Sequence, residues 1–212
     1  MQRLDAEQDD QSIADAAKNF NRLENVLLQN RTLTLFGEIN QDVARRMAEK
    51  LLALAFESDD PITLYIGSPG GHVESGDTIF DLIRYIKPEV RIIGTGWVGS
   101  IATHIYLAAD KDNRFALPNT RFLIHQPSGG FGGDAADIEI HAREILKTRE
   151  RINGIIAERT GQSVERVSED TQRDYWMSAE ESVEYGLVGK IINDISSSFF
   201  LLRRRWLFSL CL

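Results

Sequence analysis

The stretch GWVGSIATH sets Ser100 among small residues at a strand-to-helix turn, and His125 closes an apolar run twenty-five positions later. A serine at such a turn has two uses. Its hydroxyl can cap the helix that starts there. Alternatively it stands exposed as a nucleophile, with the N–H of the next residue, Ile101, turned toward a carbonyl oxygen under attack. The Gly-x-Ser-x-Gly elbow is not met, because Ala102 holds its last position. A second candidate segment is YIGSPGG. Consecutive glycines close turns, but they also let a ligand approach closely and present N–H groups to it. Gly71 would then be the other oxyanion donor, and an extended peptide would pair with this segment as an added strand.

Acyl chemistry of this kind also needs an imidazole to take the hydroxyl proton and a carboxylate to orient that imidazole. His125 shares the chain with His72, His104 and His141, and spacing alone does not select among them. His104, one turn after Ser100, is expected to point along the helix. His141 lies among charged residues. Asp170 and Asp174 are equally eligible as the acid, and each also reads simply as a solvated charge.

The elements that must carry these groups alternate. RTLTLFG, ITLYIG and VRIIGTG read as strands, as do RFALP, TRFLIHQ and KIIND. Between them, the segments beginning at Asn40 or Gln41, at His72 and at Ser100 read as helices, the second stopped by Pro88. A long helix is expected over 134–160, about seven turns and roughly 40 Å, longer than a domain of this size requires. Ser178 and Glu181 have capping-box spacing, and Gly186 is a natural helix stop. Repeated strand–helix–strand units predict an α/β domain with a largely parallel sheet.

Composition narrows the partners. A formal charge of -8 argues against a nucleic-acid binder, which needs a basic face. The single cysteine, Cys211, excludes an intrachain disulfide and a cysteine-built metal site. The polar, acidic N-terminus lacks the apolar core of a signal peptide. The C-terminal SSSFFLLRRRWLFSLCL is too short and interrupted in its apolar runs to span a bilayer. A cytoplasmic protein is expected, with a divergent segment over 1–30, a main domain over 31–194 and an atypical tail over 195–212.

The ordered blocks SPGG, IKPEV, LPNTRFLIHQPSGG, ADIEIHAREILKTRERIN and TGQSVERVSEDTQRDYWMSAEESVEYGLV resemble the proteolytic subunit of the Clp protease family over roughly 31–194. The resemblance implies the crotonase-like α/β fold, with the long helix as a projecting handle that interlocks two stacked seven-membered rings. It also implies serine endopeptidase activity on unfolded polypeptides delivered by an AAA+ ATPase. On this chain it implies neither cofactor nor metal, because the partner uses the ATP. Ser100 matches the family nucleophile, His125 the base, Asp174 the orienting acid, and Gly71 with Ile101 the oxyanion donors. Arg173, Gln172, Gly129 and Gly130 match positions at the contact between rings. Tyr65, Tyr85, Phe115 and Ile192 match the apolar pocket that receives the unfoldase. Trp97 and Ile101 depart from the commoner family residues and would reshape the substrate pocket. The N-terminal segment also departs, which suggests a divergent paralogue. Such a subunit would form homomeric rings, or mixed rings with a second subunit in which its role is regulatory.

Overall fold

The computed structural model describes residues 22–130 and 132–195. The segments 1–21 and 196–212, which hold most of the 1–30 segment and of the 195–212 tail, lie outside the described residues.

Helical residues 22–29 (α1) lead into strand β1 (Thr32–Phe36), and the order continues α2 (Gln41–Glu57), β2 (Ile62–Ser68), α3 (Val73–Tyr85) and β3 (Val90–Gly99). There follow α4 (Ile101–Tyr106), β4 (Arg114–Ala116), β5 (Arg121–Ile124), α5 (Ala135–Thr160), α6 (Val164–Asp170), β6 (Tyr175–Met177), α7 (Ala179–Tyr185) and β7 (Lys190–Ile191). Local chemistry sets several of these boundaries. Asn40, Ser163 and Ser178 each accept a bond from a first-turn N–H, and Ser178 with Glu181 completes a reciprocal capping box. Gly161 and Gly186 end α5 and α7 in the left-handed conformation that glycine adopts without a Cβ clash.

The sheet runs β1-β2-β3-β4-β7, all parallel, and β3 is its branch point. The first half of β3 pairs with β4 through Ile92–Gly94, and its second half pairs with β5 through Trp97–Gly99. This fork lengthens β3 well past the VRIIGTG expected to form it. Strand β6 was not foreseen: the segment after Asp174 pairs antiparallel with β5, a contact made 49 residues apart between His125 and Asp174. Helix α4 also stops at Tyr106, earlier than the apolar run suggests.

Leu35, Ile39, Leu51, Leu64, Ile66, Ile79, Ile92 and Phe122 are essentially without solvent contact in one core cluster. Helix α5 joins that core only at its C-terminal end, through Ile152, Ile156 and Ala157. Its first half leaves the body with Ile138, Ile140 and Leu146 exposed. The handle expected over 134–160 is therefore present, with Asp134 as its flanking residue.

Candidate active site

Ser100 follows the last residue of β3 with φ 55 and ψ −127, a left-handed backbone that a residue with a Cβ rarely adopts. Its hydroxyl makes no capping bond to α4. It lies instead 2.8 Å from His125 Nε2, and His125 Nδ1 lies 2.9 Å from Asp174 Oδ1. With the proton on Nδ1, that nitrogen donates to the carboxylate and Nε2 accepts from the serine. Such an arrangement makes the imidazole a base toward the hydroxyl and stabilises the imidazolium that forms. The Ser100 side chain is therefore turned to His125 and does not cap the helix.

Three strands bring these groups together, and side bonds hold the strands in place. The Ser100 N–H donates to Leu123 O at 2.9 Å. Thr103 Oγ1 lies 3.0 Å from both Val98 O and Leu123 O, joining the ends of β3 and β5. Gln126, next to His125, donates its N–H to Thr171 O at 2.7 Å and its side-chain amide to Gln172 O at 3.0 Å. That second pair fixes the segment leading into Asp174. Thr103 and Gln126 were not singled out from sequence; their bonds reach 20 and 46 residues away, beyond any local pattern.

The glycine segment completes the turn. Ile39 N–H donates to Gly70 O and His72 N–H donates to Ile39 O, both at 2.8 Å, so Ile39 bridges the residues on either side of Gly71. In parallel pairing the intervening residue turns its own N–H the other way. Gly71 has φ 149, and a Cβ there would meet Ile39 O at 2.2 Å. Gly70 backs directly onto Ser100 and the Ile101 nitrogen. The Ile101 N–H is one of the first-turn groups that a helix leaves without an internal acceptor. Beside Ser100 and His125 opens a mainly apolar cleft walled by Val73, Ile101, Ile124, Pro127, Ile152 and Ile156, with His104 as its further polar residue.

The remaining candidates separate. Asp170 is engaged by Arg166 at 2.8 Å and by the Tyr185 hydroxyl at 3.0 Å, away from His125. His104 is not directed simply along its helix; it is buried against Phe80 and Asp77. His72 accepts from Ser75 N–H as the cap of α3, and His141 sits on α5. Arg173 is exposed, and Gly129 and Gly130 lie exposed in the loop after β5, with no strand over 126–130. Phe115 and Ile192 form a small cluster with Ile93, against which Tyr65 packs. Tyr85, at the end of α3, is 81% exposed. No group of three metal-ligating side chains occurs among the described residues, and no helix there is long and apolar enough to cross a membrane.

The family model described as Clp protease matches residues 15–194. The chain belongs to the Clp protease family. An ATP-dependent Clp protease proteolytic subunit 3 from Rhizobium etli is 55% identical over 166 residues, 78% of this chain and 86% of the relative. A subunit 2 from Pseudomonas aeruginosa is 53% identical over 171 residues, covering 81% and 85%. The solved structure of ClpP1 from Listeria monocytogenes superposes with a TM-score of 0.75 at 51% identity, covering 82% of this chain and 98% of that one. The resemblance drawn from the ordered blocks is thereby borne out, and so is the mixed α/β Clp protease fold. Ser100 and His125 line one cleft with Ile152 and Ile156 of α5.

Proposed function

We propose that this chain is a serine endopeptidase subunit working by acyl transfer, with Ser100, His125 and Asp174 as its catalytic residues. The observation that carries the reading is the continuous line of two short contacts, 2.8 and 2.9 Å, from hydroxyl to imidazole to carboxylate. His125 takes the Ser100 proton as Oγ bonds to the substrate carbonyl carbon. The carbonyl oxygen, now anionic, is received by the N–H groups of Gly71 and Ile101. The C–N bond breaks as His125 protonates the leaving amine, and water then repeats the attack on the acyl-serine with the same base.

The assembly is two stacked heptamers in the cytoplasm, fed with unfolded polypeptide by a Clp-type AAA+ ATPase. The projecting half of α5, with its exposed Ile138, Ile140 and Leu146, supports a handle that meets other subunits. Enclosure suits a permissive peptidase, since folded proteins stay outside. Relatives numbered 2 and 3 favour a second reading, a ring subunit active only when mixed with a paralogue.

The test is Ser100→Ala in the assembled protein. Fluorophosphonate labelling and short-peptide cleavage should both vanish while the native mass is kept; cleavage that persists would remove Ser100 from the mechanism. Wild-type rings that cleave only after mixing with the second subunit would select the mixed assembly.

A further inference from the structure

The cleft beside Ser100 is bounded by two helices that a partly buried cluster of polar side chains joins. Helix α4 begins directly after Ser100, and His104 lies four residues along it, on the same face. Its imidazole is 2% exposed and stacks on Phe80 of α3, centroids 4.3 Å apart and planes 21° from parallel. Nε2 lies 3.2 Å from Asp77 Oδ1, also on α3. The contact is off the alignment of a strict hydrogen bond. At that distance the carboxylate attracts the imidazole whenever the ring is protonated, without needing that alignment.

The same carboxylate receives Arg151 from α5. Nη1 donates to Oδ1 at 2.9 Å and Nη2 to Oδ2 at 2.7 Å, a bidentate fork that fixes direction as well as distance. Arg151 directly precedes Ile152, which lines the cleft together with Ile156, Val73 and Ile101. Burial pushes the Asp77 carboxyl upward, but His104 and Arg151 outweigh it and hold the group at about 2. Asp81 and Glu74 add their fields to Arg151. Next to Asp77, Gly76 leaves no room between α3 and Ile101: a Cβ there would meet Ile101 Cγ1 at 2.1 Å. Helix α3 thus touches the nucleophile helix closely and, through one side chain, holds the handle too.

We infer that Asp77 is a positioning residue that clamps α4 to α5 and so sets the width of the pocket for the substrate side chain preceding the scissile bond. By keeping this apolar cleft narrow, the clamp favours leucine over the bulkier phenylalanine at that position. Releasing it lets α5 and its two isoleucines move outward. This rests on the peptidase reading above.

The experiment compares kcat/KM of the assembled full-length protein on short peptides differing only at that position, leucine against phenylalanine. Fluorophosphonate labelling and melting temperature are followed in parallel. Asp77→Asn and Arg151→Met should shift the preference toward phenylalanine by about tenfold, the range in which a pocket discriminates side chains of different size. Arg151→Lys should keep most of the wild-type preference. His104→Phe, which keeps the stack on Phe80 and loses the contact with Asp77, should shift it in the same direction and serves if Asp77→Asn does not fold. Lowered melting temperature with an unchanged leucine-to-phenylalanine ratio, in an active and labelled enzyme, overturns the clamp alone. A wild-type assembly, tried with and without a paralogous subunit, that neither labels nor cleaves overturns the peptidase reading and the selection role with it.

Discussion

Gly70 backs onto Ser100 so closely that a Cβ at position 70 would lie 2.7 Å from Ser100 Cβ, 2.8 Å from Gly99 O and 3.2 Å from the Ile101 nitrogen. Gly70 also has φ 102, a backbone unfavourable to any residue with a Cβ. Gly70→Ala should therefore cost about 1–3 kcal/mol of stability from backbone strain. It should also cut turnover at least about a hundredfold, the typical loss when an oxyanion donor is displaced. Peptide kinetics and a thermal melt on the same preparation check both. Wild-type turnover in a folded Gly70→Ala protein would show that the glycine turn does not set the nucleophile.

Two nearby aspartates should separate cleanly. Asp174 meets His125 Nδ1, whereas Asp170 meets Arg166 and Tyr185. Asp174→Asn should lower kcat steeply, by up to about four orders of magnitude, because the amide favours the wrong imidazole tautomer. Asp170→Asn should keep turnover within a few-fold and lower the melting temperature. Steady-state kinetics of the two variants side by side decide the assignment.

The contact between α3 and α4 at Gly76 predicts a compensating pair. Gly76→Ala drives a methyl into Ile101 Cγ1, which a packed core tolerates at a cost of about 1–3 kcal/mol. Ile101→Ala alone opens a void. Combined, the two changes should be less harmful than the sum of the singles, since they share one space. A double-mutant cycle on melting temperature and on peptide cleavage measures the difference; strict additivity would mean that the two positions do not compete for space.

Asp77 gives a stability dependence on acid. Its carboxyl is held at about 2 in the folded protein against 3.8 for the free side chain. A depressed value means that the contribution is fully present above about pH 4 and is lost as pH falls through the folded value. After allowance for partial solvent screening this amounts to roughly 1 kcal/mol. Denaturation midpoints taken from pH 5 to pH 2 should fall less steeply for Asp77→Asn than for wild type. Parallel slopes would show that Asp77 gains nothing from its two partners.

Much of the scaffold is legible in the sequence because helix ends are written locally. The cap at Asn40, the reciprocal pair Ser178 and Glu181, and the stops at Gly161 and Gly186 all act within a few residues. The strand β6 escapes such reading, since three residues acquire their conformation from β5 rather than from their own neighbours. Asp77 and Arg151 escape it for the same reason, standing 74 positions apart.

By itself the sequence determined the alternation of strands and helices, the overlong handle and a short set of eligible groups: one serine, four histidines and two aspartates. The ordered blocks added a family and, with it, a choice among them. Only the tertiary structure decided that the Ser100 hydroxyl turns from its helix to His125, and that His125 reaches Asp174 rather than Asp170. The physical reason is reach. Capping and periodicity act over one helical turn or one strand, whereas the Ser100–His125–Asp174 line needs contacts near 3 Å between groups that the chain separates by 25 and 49 residues. Pairing of β5 beside the second half of β3 closes the first gap, and antiparallel pairing of β6 with β5 closes the second.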